Sequence, residues 1–209
     1  MLKEVQKLID RYPKLITVER DIENAVDILT NAYIKQGKLM LCGNGGSAAD
    51  CQHIAGELLK RFKIKRGMNE EIRNNLRKYG VSEEYLSSIC NGFPTISLVE
   101  SVGFITAFMN DENIEYVYAQ EINVVGNAGD VLIAISTSGD SINVVNAAIM
   151  AKAKNIKVIA LTGESGGRLR EYCDILINVP EIETARIQEY HLPIYHVICE
   201  AVERICLEE

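Results

Sequence analysis

Three times along this 209-residue chain, a short apolar run ends in glycine and hydroxyl residues and a helical pattern follows. The runs are KLMLC at 38–42, DVLIAIS at 130–136 and KVIALTG at 157–163. Each lacks the apolar–polar alternation of a strand with one wet face, so each reads as a strand buried on both sides. FPTISLV at 93–99 and DILINVP at 174–180 read as two more. Helical patterns are expected at about 2–11, 17–36, 47–62, 101–109, 113–125, 141–154 and 184–207, with a short helix opening at GGRLREYC. In the second helix Ile22, Val26, Ile28, Leu29 and Tyr33 make the inward stripe. Strands alternating with helices require an α/β fold, a doubly wound parallel sheet flanked by helices. Residues 1–36 add N-terminal helices to it. Residues 63–92 are highly charged and read as a helical insert of two short helices broken at Gly80. No low-complexity linker divides residues 1–209, so a single domain is expected.

Composition narrows the function. No apolar run reaches the roughly 18 to 20 residues that span a bilayer, so no membrane partner is expected. The N-terminal MLKEVQKLIDRYPKL lacks the pattern of a signal peptide, and the six scattered cysteines form no C-x-x-C pair. A cytoplasmic protein with reduced thiols is the expectation. A net charge of −7 argues against nucleic-acid binding. An anionic ligand must therefore be held by local groups, namely helix N-termini, backbone amides and a few basic side chains.

The loops CGNGGS (42–47) and STSGDS (136–141) supply such groups. In an open α/β sheet they fall beyond the carboxyl ends of strands, where ligands bind. Glycine lets the backbone approach an anion and serine adds donors, which points to phosphate. Tight turns with serine N-caps would use the same residues. A Walker A loop is excluded, because no lysine follows these glycines. Gly43, Gly45 and Ala48 match a dinucleotide fingerprint, but the basic KRFKIKRG stands where that motif needs an acid-tipped second strand.

His53 and Glu57, at i and i+4, share one helix face close behind the first loop. In RIQEYHLPIYH, Gln188 and His196 lie about 80° apart around the helix, while His191 points elsewhere. Nitrogen and oxygen donors from two helices suit zinc. Hydrogen-bonded core or interface histidines would show the same pattern, and Pro193 can rotate His196 relative to Gln188.

Taken together, GNGGSAADCQHIAGEL, Asn110-Asp111, DVLIAISTSGDS and TARIQEYHLPIYH resemble the sugar isomerase (SIS) domain, a flavodoxin-like sandwich. The resemblance is nearest to its phosphoheptose isomerase branch, and covers nearly all of the chain outside the insert. It implies an aldose–ketose isomerase converting D-sedoheptulose 7-phosphate to D-glycero-D-manno-heptose 7-phosphate through an enediol, as a homotetramer with sites shared between subunits. By the same resemblance, Ser47, Ser136, Ser138 and Ser141 grip the phosphate with Thr137 beside them. Asn44, Gly45 and Gly46 line the first loop, and Asn110 and Asp111 border the sugar. His53, Glu57, Gln188 and His196 match zinc ligands found in part of the family. Glu57 and His196 also match its acid/base pair, and Arg61 a basic active-site residue.

One segment departs from the family pattern. Between Arg61 and Asn110 the chain carries the charged insert and then LVESVG, with Glu100 or Ser101 where an aspartate is usual. The insert can serve as a lid, a subunit contact, a docking surface or a solvated decoration. Two competing functions follow: isomerisation of another ketose phosphate, or a non-catalytic SIS module that binds a sugar phosphate or a protein partner.

Overall fold

A computed structural model of the chain describes residues 2–208. Its strands are Leu39–Gly43 (β1), Thr95–Ser97 (β2), Val131–Ile135 (β3), Lys157–Thr162 (β4) and Ile175–Asn178 (β5). All neighbours pair in parallel, in the order β2-β1-β3-β4-β5. The order reverses between β1 and β3, which makes that gap the topological switch point of the sheet.

The helices are Lys3–Arg11 (α1), Glu19–Ile34 (α2), Gly46–Leu59 (α3), Glu70–Arg77 (α4), Glu83–Ser88 (α5), Val102–Asp111 (α6), Val117–Val125 (α7), Ile142–Ala153 (α8) and Thr184–Glu208 (α9). Alternate residues of each strand feed opposite cores. Leu39, Leu41, Val131 and Ile133 pack with α1, α2, α3 and α9 on one face of the sheet. Met40, Cys42, Leu132 and Ala134 pack with α7 and α8 on the other. Both faces are covered, as the unbroken apolar runs require.

Several expected boundaries move, two of them for a visible reason. The helix expected to reach residue 62 ends at Leu59, and Lys60 is already extended. Arg66 donates to the carbonyls of Leu58 and Lys60, and Phe93 N donates to Leu58 O, so partners far along the chain satisfy the helix end. The carboxylate of Glu203 on α9, 1% exposed, then accepts from the amides of Phe62, Lys63 and Ile64 and holds the segment off the helical path. The edge strand β2 is shorter than FPTISLV, because Phe93 N turns to α3 and Glu100 N turns back to Ser97 O. Residues 113–125 open with a 3-10 turn at Ile114–Tyr116, and GGRLREYC forms a 3-10 turn at Gly167–Glu171 instead of a helix.

The insert forms two short helices, as its pattern indicates. Asn69 caps α4 through the amides of Glu71 and Ile72, and Ser82 caps α5 through that of Tyr85. Gly80 between them has φ of 72°. Neither helix spans a full core stripe, and α5 buries only Leu86.

His191 sits in the core with no exposure, its Nε2 3.3 Å from Thr162 O at the end of β4 and its Nδ1 without a partner. Burial pushes its pKa down to about 4. A depressed folded value means that the unfolded chain takes up the proton first. Stability is thus fully present above about pH 6.5 and is lost as pH falls towards 4. We expect thermal melts to show a loss of up to about 3 kcal/mol from this group across that window. His191→Gln should flatten that part of the pH–stability profile, and an unchanged profile would contradict the assignment.

Candidate active site

The loops leaving β1 and β3 flank the switch point, and they open helices on opposite faces of the sheet, α3 and α8. A reciprocal amide pair ties them together. Asn44 Nδ2 donates to Asn143 Oδ1 at 2.8 Å, and Asn143 Nδ2 donates to Asn44 Oδ1 at 2.9 Å. Tyr118 donates to Gly43 O at 2.8 Å from below. Gly45 adopts φ 57° and ψ −120°, a conformation that favours glycine, and so turns the chain sharply into α3. Ser47 is buried at the first turn of that helix.

In the second loop, Ser136 donates to Ser141 Oγ at 3.0 Å and accepts from Gly139 N at 3.2 Å. Ser138 Oγ accepts from Asp140 N at 3.1 Å. Thr137 O accepts from Gly163 N, which seats this loop on the one after β4. Gly139 (φ 73°) touches Gly166 so closely that a Cβ there would lie 2.1 Å from the Gly166 carbonyl oxygen. Ser136, Ser138 and Ser141 thus form one hydroxyl cluster at the N-terminus of α8, where amides and helix dipole favour an anion.

α3 and α9 run side by side in the same direction. Gln188 packs on Gly46, whose added Cβ would meet Gln188 Nε2 at 2.4 Å, and eight residues later His196 meets His53. The ring nitrogens His53 Nε2 and His196 Nε2 are 3.3 Å apart, and His53 Nε2 lies 3.4 Å from Glu57 Oε1. The other carboxylate oxygen of Glu57 accepts from Lys60 at 2.6 Å. Phe62 stacks on the His196 ring at 5.7 Å. α9 continues through Pro193 without a break.

Two residues that sequence reasoning passed over order this cluster. The Tyr195 hydroxyl lies 3.2 Å from Asp50 Oδ1 and 2.9 Å from His53 Nδ1. In the tautomer with the proton on Nδ1, the Nε2 lone pair of His53 faces His196 and Glu57. Burial, helped by the neighbouring His53, holds the pKa of His196 below the ordinary histidine value, so its ring is neutral at pH 7. Asp50 stands three residues before His53 and Tyr195 directly before His196. Neither position carries a recognisable motif, so the only available signal was adjacency.

The donor set suits zinc in chemistry. Donors about 2.0–2.1 Å from a tetrahedral zinc stand about 3.3–3.4 Å apart, which matches both contacts made by His53 Nε2. Among the described residues, no group of three or more His, Cys, Asp or Glu side chains is placed to hold a metal ion. Gln188 meets α3 about two turns before His53 and does not join the cluster within one chain. The remaining expected residues sit apart. Asn110 donates to Asp111 at 2.7 Å on the exposed last turn of α6. Ser101 donates to Glu121 at 2.8 Å. Arg61 is exposed beyond the end of α3 and lines a cavity on the insert side. A cavity of about 610 Å³ reaches His196 from the side of α1, with Lys7, Arg11 and Lys63 on its walls, and the glycine–serine loops lie outside it.

Comparison with known proteins gives a consistent picture. The sequence profile of the SIS domain matches residues 2–88 and 93–163. The phosphoheptose isomerase of a Roseiflexus species is 36% identical over 210 residues, covering 100% of this chain and 94% of the relative. That of a Nitratiruptor species is 41% identical, covering 97% and 98%. The structure of phosphoheptose isomerase from Neisseria gonorrhoeae superposes with a TM-score of 0.69 at 30% identity, over 95% of this chain and 97% of that one.

The loop contact provides a stability test. Gly139→Ala forces a side chain against backbone at a positive φ, and should cost at least about 2 kcal/mol, or roughly 4–8 °C in Tm. Gly67→Ala, with nothing within 4 Å of the added carbon and no positive φ, should leave Tm unchanged or slightly raised. Equal melting of the two variants by differential scanning calorimetry would contradict the loop packing.

Proposed function

The chain belongs to the SIS-domain family and, within it, to the phosphoheptose isomerases, and from that premise we propose that it interconverts D-sedoheptulose 7-phosphate and D-glycero-D-manno-heptose 7-phosphate. The observation that carries this reading is the meeting of His53, Glu57 and His196, from helices on distant parts of the chain, on the helix that opens at the first glycine–serine loop.

The substrate phosphate is held by Ser47, Ser136, Ser138 and Ser141 with Thr137, and by the free amides of α3 and α8. Asn44, Gly45 and Gly46 shape the adjoining wall, and Asn110 and Asp111 border the sugar; Arg61 is expected there by the family resemblance, but within one chain it lines the insert-side cavity. Isomerisation removes a proton from the hydroxymethyl carbon of the ketose and returns one to the neighbouring carbon. The carbonyl oxygen gains a proton while the adjacent hydroxyl loses one. Glu57 and His196 share these transfers, and the neutral ring of His196 can accept as well as donate. Lys60, 2.6 Å from Glu57, keeps the carboxylate oriented between turnovers.

His53, Glu57 and His196 would hold a zinc ion; Gln188, seated on Gly46 two turns away, does not reach it within one chain. When bound, zinc supplies a Lewis acid that polarises the sugar oxygens. The Nδ1-protonated tautomer of His53, beside Tyr195 and Asp50, keeps Nε2 available for that role.

A homotetramer acting in the cytoplasm completes the proposal. α6 is almost wholly apolar (VGFITAFMND), yet none of its ten residues is buried. Val102 is 66% exposed and Met109 57%, a surface that a second copy would cover. Such a contact also adds groups to Asn110 and Asp111, which end the same helix. Cys42, Cys51, Cys90, Cys173 and Cys199 are free thiols, as suits a reducing compartment.

A panel of seven-, six- and five-carbon ketose phosphates tests the activity. Sedoheptulose 7-phosphate should be turned over, and Glu57→Gln and His196→Asn should each lower kcat by about 10²–10⁴. Turnover of another sugar alone would reject the substrate, and full activity in both variants would reject the mechanism. Elemental analysis of protein purified without chelator should find zinc, lost in His53→Ala; full activity in metal-free protein would remove zinc from the account. Analytical ultracentrifugation should give about four times the 23.3 kDa chain mass, and Val102→Glu with Met109→Glu should shift it towards smaller species. A monomeric wild type would overturn the assembly.

A further inference from the structure

Where α3 ends, the chain folds against α4 and α5 around a cavity of about 330 Å³. Its polar wall carries four cations, Arg61, Lys65, Arg66 and Arg73, and Gly67, Leu86, Ser87 and Ile89 line the remainder. Among the described residues no carboxylate lines it. In a chain of net charge −7, this is an uncommon concentration of positive charge.

Two of the four cations are matched. Arg66 lies 3.6 Å from Glu203, and Arg73 lies 3.3 Å from Glu83 and 3.9 Å from Glu70. The side chains of Arg61 and Lys65 have no acidic partner among the described residues. Arg66 Nε and Arg73 Nε are sealed from solvent, so the two guanidinium groups form a fixed wall of the cavity. The Arg66 side chain is only 5% exposed and is fixed on three sides. It stacks over Phe93 at 4.7 Å, pairs with Glu203, and donates through Nη2 to the carbonyls of Leu58 and Lys60. A guanidinium so placed cannot swing out to water.

We propose that this cavity binds a small phosphomonoester, at a site separate from the His53–Glu57–His196 cluster. A dianionic phosphate balances the unmatched charge of Arg61 and Lys65 at the cavity wall. The volume stands at the lower end of small-molecule sites, about 300 Å³ and upwards, which suits phosphate or the phosphate of one sugar unit. Leu86 gives an apolar wall and Ser87 a further hydroxyl for the organic part. Occupancy bears on the last turn of α3, because Arg66 holds the carbonyls of Leu58 and Lys60 while Lys60 pairs with Glu57. The insert thereby acquires a role, linking an anion to the helix that carries Glu57.

Calorimetric titration of the full chain with inorganic phosphate, and separately with a hexose 6-phosphate, tests this. The protein used carries Ser136→Ala and Ser138→Ala, which disable the grip assigned to the substrate phosphate, so the two sites are read apart. It should still take up one phosphate per chain. Adding Lys65→Ala and Arg73→Gln should weaken that uptake at least tenfold. Tighter binding of the hexose phosphate assigns the cavity to a sugar phosphate, and equal binding to phosphate itself; either supports the site. Should the four-fold variant fail to fold, exposed Lys65→Glu in the serine-substituted protein gives the same reading. No uptake by the serine-substituted protein, or uptake indifferent to Lys65 and Arg73, would overturn the site.

Discussion

The parallel packing of α3 against α9 is the constraint on which the site depends. His53 and His196 are separated by 143 positions, and their ring nitrogens meet at 3.3 Å only because Gln188 seats on the side-chain-free surface of Gly46 and fixes the register of the two helices. Glu203, further along α9, ties down the segment leaving α3 by accepting three successive amides. One helix pair therefore sets both the chemistry and the point at which the insert departs.

An acidic chain that binds a phosphate sugar needs its positive potential concentrated. The fold achieves this at the switch point, where the loops after β1 and β3 present two helix N-termini from opposite faces of one sheet. The Asn44–Asn143 amide pair and the Tyr118 hydrogen bond to Gly43 hold those loops together before any ligand arrives. Such preorganisation lowers the cost of ordering the site on binding. Glu57 lies further along α3 with His196 beside it on α9, so a sugar anchored by its phosphate at the loops would extend towards the pair proposed for proton transfer.

Much of this was legible in the residues. The five strands follow from unbroken apolar runs, and Gly80 marked the break between α4 and α5. Local sequence failed where distant partners override it. Nothing in LLKRF announces that Arg66, Phe93 and Glu203 will close α3 at Leu59. The pairing of His53, Glu57 and His196 was reached through motif resemblance as well as helical spacing, because periodicity alone allows a core histidine such as His191. The roles of Asp50 and Tyr195 were hidden, since a hydrogen-bond chain across two helices has no sequence period. Asn110 and Asp111 were singled out by motif, and within one chain they stand on the exposed end of α6. A subunit contact that covers α6 would bring their surroundings into being, and single-chain reasoning cannot supply it.

The central claim is that one sugar phosphate spans the hydroxyl cluster of residues 136–141 and the Glu57–His196 pair. A crystal structure of the Glu57→Gln protein soaked with sedoheptulose 7-phosphate measures this directly. The account predicts the phosphate against Ser136, Ser138 and Ser141, with the first two sugar carbons in hydrogen-bonding reach of residue 57 and His196. A sugar bound with those carbons away from both side chains, in every subunit of the assembly, would contradict it.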